Sequence, residues 1–266
     1  MKITTRNASF QRWQSLVGNR TKRHRAAEFL VQGVRPISLA VSYGWEVRHL
    51  LFPLGGTRSA WARETMAAVD APAVGLAPDL MAELGGKDED LPELIAVVAL
   101  PADDLGRIVT GPRTLVVVFD RPTTPGNIGT LVRSADAFGA AGVVVTGHAA
   151  DPYDPKAVRA STGSLFAVPV VRMPAAAPVL DWVAGLPHRP RIVGTDERAP
   201  VDVAECDLRG PTVLLVGNET QGLSAAWRDA ADEMVRIPIG GAASSLNAAT
   251  AGSVVLYEAA RQRAAG

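Results

Sequence analysis

The sequence predicts an α/β fold in two domains, and three observations carry that expectation. Short apolar runs recur along its 266 residues, with helical patterns between several of them. A polar stretch broken by Gly and Pro, from Pro101 to Arg113, divides the chain. Apolar runs ending near Phe119, Gly217 and Ile237 each open into a turn marked by Pro or Gly. Turns of that kind at strand ends expose backbone N–H groups and fixed side chains. Alternation of strands and helices favours a mostly parallel sheet covered by helices, with ligands beyond the carboxyl ends of the strands.

The elements follow in order. The first 25 residues hold seven basic side chains (Lys2, Arg6, Arg12, Arg20, Lys22, Arg23, Arg25) and no acid precedes Glu28. Phe10 and Trp13 lie among them. Two readings stay open: a solvated, partly disordered basic terminus, or a nucleic-acid contact with the two rings as stacking groups. Phe29–Val31 reads as a strand, Pro36–Tyr43 as a helix stopped by Gly44, and Val47–Phe52 as a buried strand. Ser59 is expected to cap a helix over 60–69, and Asp79 one over 80–84. A polar loop over Gly85–Asp90 then leads to a strand at Ile95–Leu100. With the boundary set inside the polar stretch, the domains span 1–105 and 106–266. Strands are expected at 114–119, 142–146, 166–171, 191–195, 212–216 and 235–239, and a final helix ends near Arg261.

Composition excludes several classes. Lys plus Arg and Asp plus Glu both number 27, so any nucleic-acid signal must be local rather than global. Cys206 is the single cysteine, which forbids an intrachain disulfide. The four histidines share no metal-ligand spacing, so no metal site is expected. No apolar run approaches the roughly 18 residues of a membrane span. A soluble, reducing, cytoplasmic setting is the simplest expectation.

Three segments carry chemistry. In the first, Ile128, Leu131, Val132, Ala135 and Phe138 form the apolar stripe of a helix. Asn127 stands at its start, as an N-cap or a site residue, and Arg133 lies off the stripe, as a surface ion pair with Asp136 or a site residue. The Gly spacing does not match a dinucleotide fingerprint, which counts against a nucleotide-dependent oxidoreductase. In the second, the run Thr212–Val216 ends at Gly217, then Asn218 and Glu219 set an amide and a carboxylate at the strand mouth. The third, Ile237-Pro238-Ile239 through Ser245-Leu246-Asn247, opens a helix that begins with small residues, packed either within the chain or against a second subunit.

Gly126-Asn127-Ile128-Gly129 through Arg133, then Gly217-Asn218-Glu219 with Gly222-Leu223, then Ile237-Pro238-Ile239 with Ser245-Leu246-Asn247, resemble the three ordered motifs of the SpoU/TrmH branch of the SPOUT RNA methyltransferases. The resemblance covers roughly residues 113–262, and residues 25–100 resemble the L30e-like substrate-binding domain often joined to it. It implies a C-terminal domain with a trefoil knot, a homodimer with shared active sites, and S-adenosylmethionine as methyl donor. The implied reaction is 2′-O-ribose methylation of a uridine in 23S ribosomal RNA, with resistance to a ribosome-targeting antibiotic. A transfer-RNA methyltransferase and a non-catalytic RNA-binding dimer are the alternatives. By the family pattern Arg133 is catalytic and Asn127 its positioning partner, with Glu219, Ser245 and Asn247 organising the site. Thr195, Gly217, Asn218, Ile237, Ile239 and Leu246 hold the cofactor. Lys156, Arg159 and Ser161, in a run matching the family, join Arg12, Arg20, Lys22, Arg23 and Arg25 as expected RNA contacts.

Overall fold

The structure, a computed structural model, describes residues 1–86 and 91–265. It divides into two compact units: residues 1–101 with 153–167, and residues 102–152 with 168–266. The expected boundary at 105/106 therefore shifts to 101/102. The reason is apolar burial: Leu105, in a short 3-10 turn, and Ile108 are buried in the core of the second unit. The polar stretch is thus part of a packed element rather than a bare linker.

The first unit holds a five-stranded sheet, β1 (Lys2–Ile3), β2 (Glu28–Gln32), β3 (Val47–Pro53), β4 (Ala73–Leu76) and β5 (Ile95–Ala99), in the order β1-β4-β3-β5-β2. β1–β4 and β4–β3 pair parallel, while β3–β5 and β5–β2 pair antiparallel. The N-terminal residues are not a tail. Helices α1 (Ala8–Gly18) and α2 (Arg20–Ala26) are capped by Asn7 and Asn19 side chains, as Asx residues commonly do. Phe10, Trp13 and Leu16 recur along one face of α1 and are buried against the sheet. That burial removes Phe10 and Trp13 as stacking groups. Helices α3 (Val34–Ser42) and α4 (Ala60–Ala68) match expectation, and Ser59 accepts from the Ala62 N–H as a cap. Helix α5 (Pro78–Gly85) starts earlier than expected, because Pro78 takes the first turn and Asp79 lies inside it. Of the expected polar loop, residues 87–90 lie outside the described residues.

The second unit is built on seven parallel strands: β6 (Leu115–Asp120), β7 (Gly142–Thr146), β8 (Val170–Met173), β9 (Arg191–Thr195), β10 (Val201–Asp202), β11 (Thr212–Val216) and β12 (Glu233–Arg236), in the order β10-β12-β9-β11-β6-β7-β8. Every pairing in it is parallel. The chain passes outward from β6 to β7 and β8, then returns to the other side of β6, which makes β6 and β11 the switch point where such sheets open a crevice. Two expectations shift here. Residues 164–167 form a helical turn before β8, and the last strand ends at Arg236.

Helix α6 (Pro125–Ala137) follows β6, and α7 (Pro155–Ser161) and α8 (Ser164–Ala167) belong to the first unit. Helices α9 (Ala177–Ala184), α10 (Ala225–Ala230) and α11 (Ala248–Ala264) complete the second. Gly252 lets α11 lie close to α6 and β11: a Cβ there would come within 2.6 Å of Leu131 and 3.0 Å of Val216. No helix among the described residues is long and apolar enough to cross a membrane.

Candidate active site

Strand β6 ends at Asp120, and the next residues turn into α6. Pro125 occupies the first turn, where its missing N–H costs nothing, and Thr124 takes the cap position. Asn127 is therefore not the N-cap. Its side chain is spent elsewhere: Asn127 Nδ2 donates to Glu219 Oε1 at 2.8 Å. The other Glu219 oxygen accepts from the Thr123 N–H at 3.1 Å and the Thr123 hydroxyl at 3.0 Å. Asn247 extends the chain, donating to Asn127 Oδ1 at 3.2 Å while its own Oδ1 caps α11 through the N–H groups of Ala249 and Thr250. One network thus joins all three sequence motifs. Partial burial works against charge on Glu219, yet the donors from Asn127, its own backbone and Thr123 outweigh it and hold the carboxyl below its ordinary pKa.

A cavity of about 610 Å³ opens beside this network, at the carboxyl ends of β9, β11 and β12. Thr195, Gly217, Asn218, Glu219, Ile237, Ile239, Ser245 and Leu246 line it. Thr195 anchors one wall by donating its hydroxyl to the Leu215 carbonyl at 2.9 Å. The turn after Gly217 closes as a small antiparallel bridge between Asn218 and Gly222, and a Cβ on Gly217 would sit 2.5 Å from Gly222. Ile239 and Leu246 stay exposed in the cavity lining. Among the described residues the backbone groups of Ile237 and Leu246 have no backbone partner. Apolar side chains beside unpaired backbone groups suit a flat heteroaromatic ring with edge donors and acceptors. An adenosyl group fits that description.

Arg133 is exposed on α6 and makes no hydrogen bond or ion pair with another described residue. Cys206 is buried, and burial with the Glu233 carboxylate beside it pushes its thiol up to about 12, which disfavours the thiolate at neutral pH.

The expected RNA contacts separate by burial. Arg23 is 1% exposed and donates to the Leu16 and Val17 carbonyls and to Asp154. Ser161 is 0% exposed and donates to the Val158 carbonyl. Both are corrections: these side chains tie α2 to α1 and close α7, so neither meets a phosphate. Arg12 spends part of its guanidinium on buried Glu28, at 2.7 Å. Arg20, Lys22, Arg25, Lys156 and Arg159 are exposed. Sequence reasoning missed Thr123 and Arg121, which lie in the turn between β6 and α6, just before the first motif. The single signal for them was their place beside a strand end.

The sequence matches the family described as SpoU L30e-like domain over residues 7–96 and the SpoU rRNA Methylase family over residues 114–257. It is 57% identical, over all of this chain and 93% of the relative, to a 23S rRNA (uridine(2479)-2′-O)-methyltransferase of Streptomyces viridochromogenes. The crystal structure of the SpoU methyltransferase AviRb from that organism, in complex with AdoMet, superposes with a TM-score of 0.94 over 98% of this chain and 100% of that one, at 57% identity. An AdoMet-bound rRNA methyltransferase from Sinorhizobium meliloti is 27% identical, with a TM-score of 0.87 over 98% of this chain and 97% of its own. With its three motifs joined in one network, and with similarity along its whole length, this chain belongs to the SpoU rRNA methylase family.

Proposed function

We propose that this protein methylates the ribose 2′-hydroxyl of a uridine in 23S ribosomal RNA, using S-adenosylmethionine. The observation that carries the reading is the Thr123–Asn127–Glu219–Asn247 network at the rim of a cavity lined by Ile239 and Leu246. Its support from similarity is the Streptomyces relative, whose name states that reaction. Gly217, Asn218, Ile237, Ile239 and Leu246 hold the cofactor through backbone and apolar contacts, with Thr195 fixing the wall. When bound, S-adenosylmethionine supplies an electrophilic methyl group on a sulfonium.

The chain's own residues must then handle a poor nucleophile, because a ribose hydroxyl must give up its proton, here to solvent water, as its oxygen attacks. A guanidinium does not readily give up its proton, so Arg133 is not assigned the role of base. Its role is electrostatic: it binds the 2′-oxygen and stabilises the charge that develops there. Asn127, Glu219, Ser245 and Asn247 organise the rim against which that oxygen docks. Arg20, Lys22, Arg25, Lys156 and Arg159 give phosphate contacts that position the RNA without choosing the nucleotide.

The working form is a homodimer joined through α6 and α11. Tyr257 and Val254 are exposed on α11, Phe138 packs edge-on against Tyr257 at 5.8 Å, and Arg133 is exposed on α6. A knotted path of the last segment, action in the cytoplasm and resistance to a ribosome-targeting antibiotic complete the reading.

Incubation with labelled S-adenosylmethionine and unmodified 23S RNA, followed by primer extension at limiting nucleotide, tests it. One new stop that vanishes with Arg133→Ala is expected. Transfer to transfer RNA alone would replace the substrate, and failure to bind the cofactor would overturn the reaction.

A further inference from the structure

Arg121 stands one residue beyond β6 and has a backbone φ of +52°, in the left-handed region that a side chain with a Cβ rarely adopts. Non-glycine residues in that region concentrate where surrounding contacts force them, commonly at functional sites. The contacts here are specific. The guanidinium donates to Gln221 Oε1 at 2.8 Å, to the Gly222 carbonyl at 3.0 Å and to Asp120 Oδ2 at 3.1 Å. The backbone adds two bonds: the Arg121 N–H donates to the Thr146 carbonyl at 2.9 Å, and its carbonyl accepts from Asn218 Nδ2 at 2.7 Å. Asp120 is buried and also accepts from the Ser224 N–H at 2.8 Å, just beyond the same turn.

The 218–222 turn is therefore gripped at both ends by one residue of the neighbouring loop. That turn carries Glu219 and forms a wall of the cavity. We propose that Arg121 is a positioning residue, a clasp that locks the 218–222 turn and thereby sets both the cofactor wall and the Glu219 carboxylate. The proposal rests on the methyltransferase reading for its kinetic consequence, though not for its structural one. Arg121 is not itself among the residues that line the cavity, so it acts through Asn218, Gln221 and Gly222, which are.

Two substitutions separate positioning from stability. Arg121→Gly relieves the left-handed backbone and removes the fork. Arg121→Lys keeps a charge beside Asp120 but has no planar fork to span Gln221 and Gly222. Amide hydrogen exchange of residues 218–222, which reads local opening directly, is measured with the melting temperature, the Kd for S-adenosylmethionine and the steady-state constants. Expected are faster exchange confined to that turn in both variants and a KM for the cofactor raised about ten-fold in Arg121→Gly, with Arg121→Lys between it and wild type. Wild-type exchange and KM in a folded Arg121→Gly protein would overturn the clasp. So would faster exchange spread evenly over the second unit, which marks plain destabilisation. If the wild-type protein neither binds the cofactor nor transfers methyl, the functional reading fails, while exchange in the turn still decides the role of Arg121.

Discussion

Glu219 is held by three side-chain or backbone donors from Thr123 and Asn127, so its carboxylate is the acceptor around which the rim is arranged. Glu219→Gln keeps the shape but loses the charge that strengthens those bonds, and turnover is expected to fall by about ten- to a hundred-fold, read as kcat at saturating cofactor. The carboxyl's depressed pKa also fixes a pH dependence. A group with a lowered folded pKa contributes stability above its unfolded value, about 4.3 for Glu, and loses it as pH falls through the folded value. The melting-temperature gap between wild type and Glu219→Gln should be constant above about pH 5 and shrink below about pH 4. A gap unchanged at low pH would count against the depressed pKa. Asn127 illustrates why residue roles resisted sequence reading: at a helix start its amide looks like a cap, and the partner that changes its role lies 92 positions away.

At the scale of elements, α11 seats against α6 and β11 through Gly252. Gly252→Leu forces its side chain into Leu131 and Val216, and overpacking of this kind costs about 1–3 kcal/mol, measurable by urea denaturation. The face that α1 turns to the sheet offers a second test. Burial pushes His49 below its ordinary pKa, with Arg12 and Arg48 adding to the effect and Glu28 opposing it. A lowered folded value leaves stability full above the unfolded value of about 6.5, declining as pH falls toward the folded one. His49→Gln should flatten the melting-temperature slope just below pH 6.5 without moving the neutral plateau by more than a few degrees. A slope identical to wild type would assign that pH dependence to other groups.

Across the whole molecule, the two units are not two consecutive lengths of chain. Tyr153 and Phe166 pack on Phe29 at ring separations of 5.0 and 6.3 Å, and Trp45 donates to the Phe166 carbonyl at 3.0 Å. A fragment of residues 102–266 would carry this aromatic segment without its core and is expected to aggregate, which light scattering would report. Replacing Tyr153 and Phe166 by Ser in the fragment should restore a monodisperse species. The core of the second unit is tested by Trp227, fully buried with its indole N–H 3.3 Å from the Thr146 hydroxyl. Trp227→Ala should cost about 3–5 kcal/mol in chemical denaturation.

Strand periodicity, the Gly- and Pro-marked turns and the ordered motifs were legible in the sequence, because they are local: a strand needs its own apolar run, and a turn needs its own Gly or Pro. The same locality explains why Ser59 could be read as a cap and why strands such as Val47–Pro53 and Thr212–Val216 fell where expected. Burial of charge is not local. Arg23 and Ser161 have the composition of a phosphate-binding surface, and only the packing of α2 and α7 turns them inward. In the N-terminal helices the Phe10–Trp13–Leu16 spacing marks a buried face, yet the seven charges around it are equally those of a solvated surface. Tertiary structure alone brought Arg121 to Gly222 and Asn127 to Glu219, because a parallel sheet sets side by side strand ends that the chain separates by about a hundred residues.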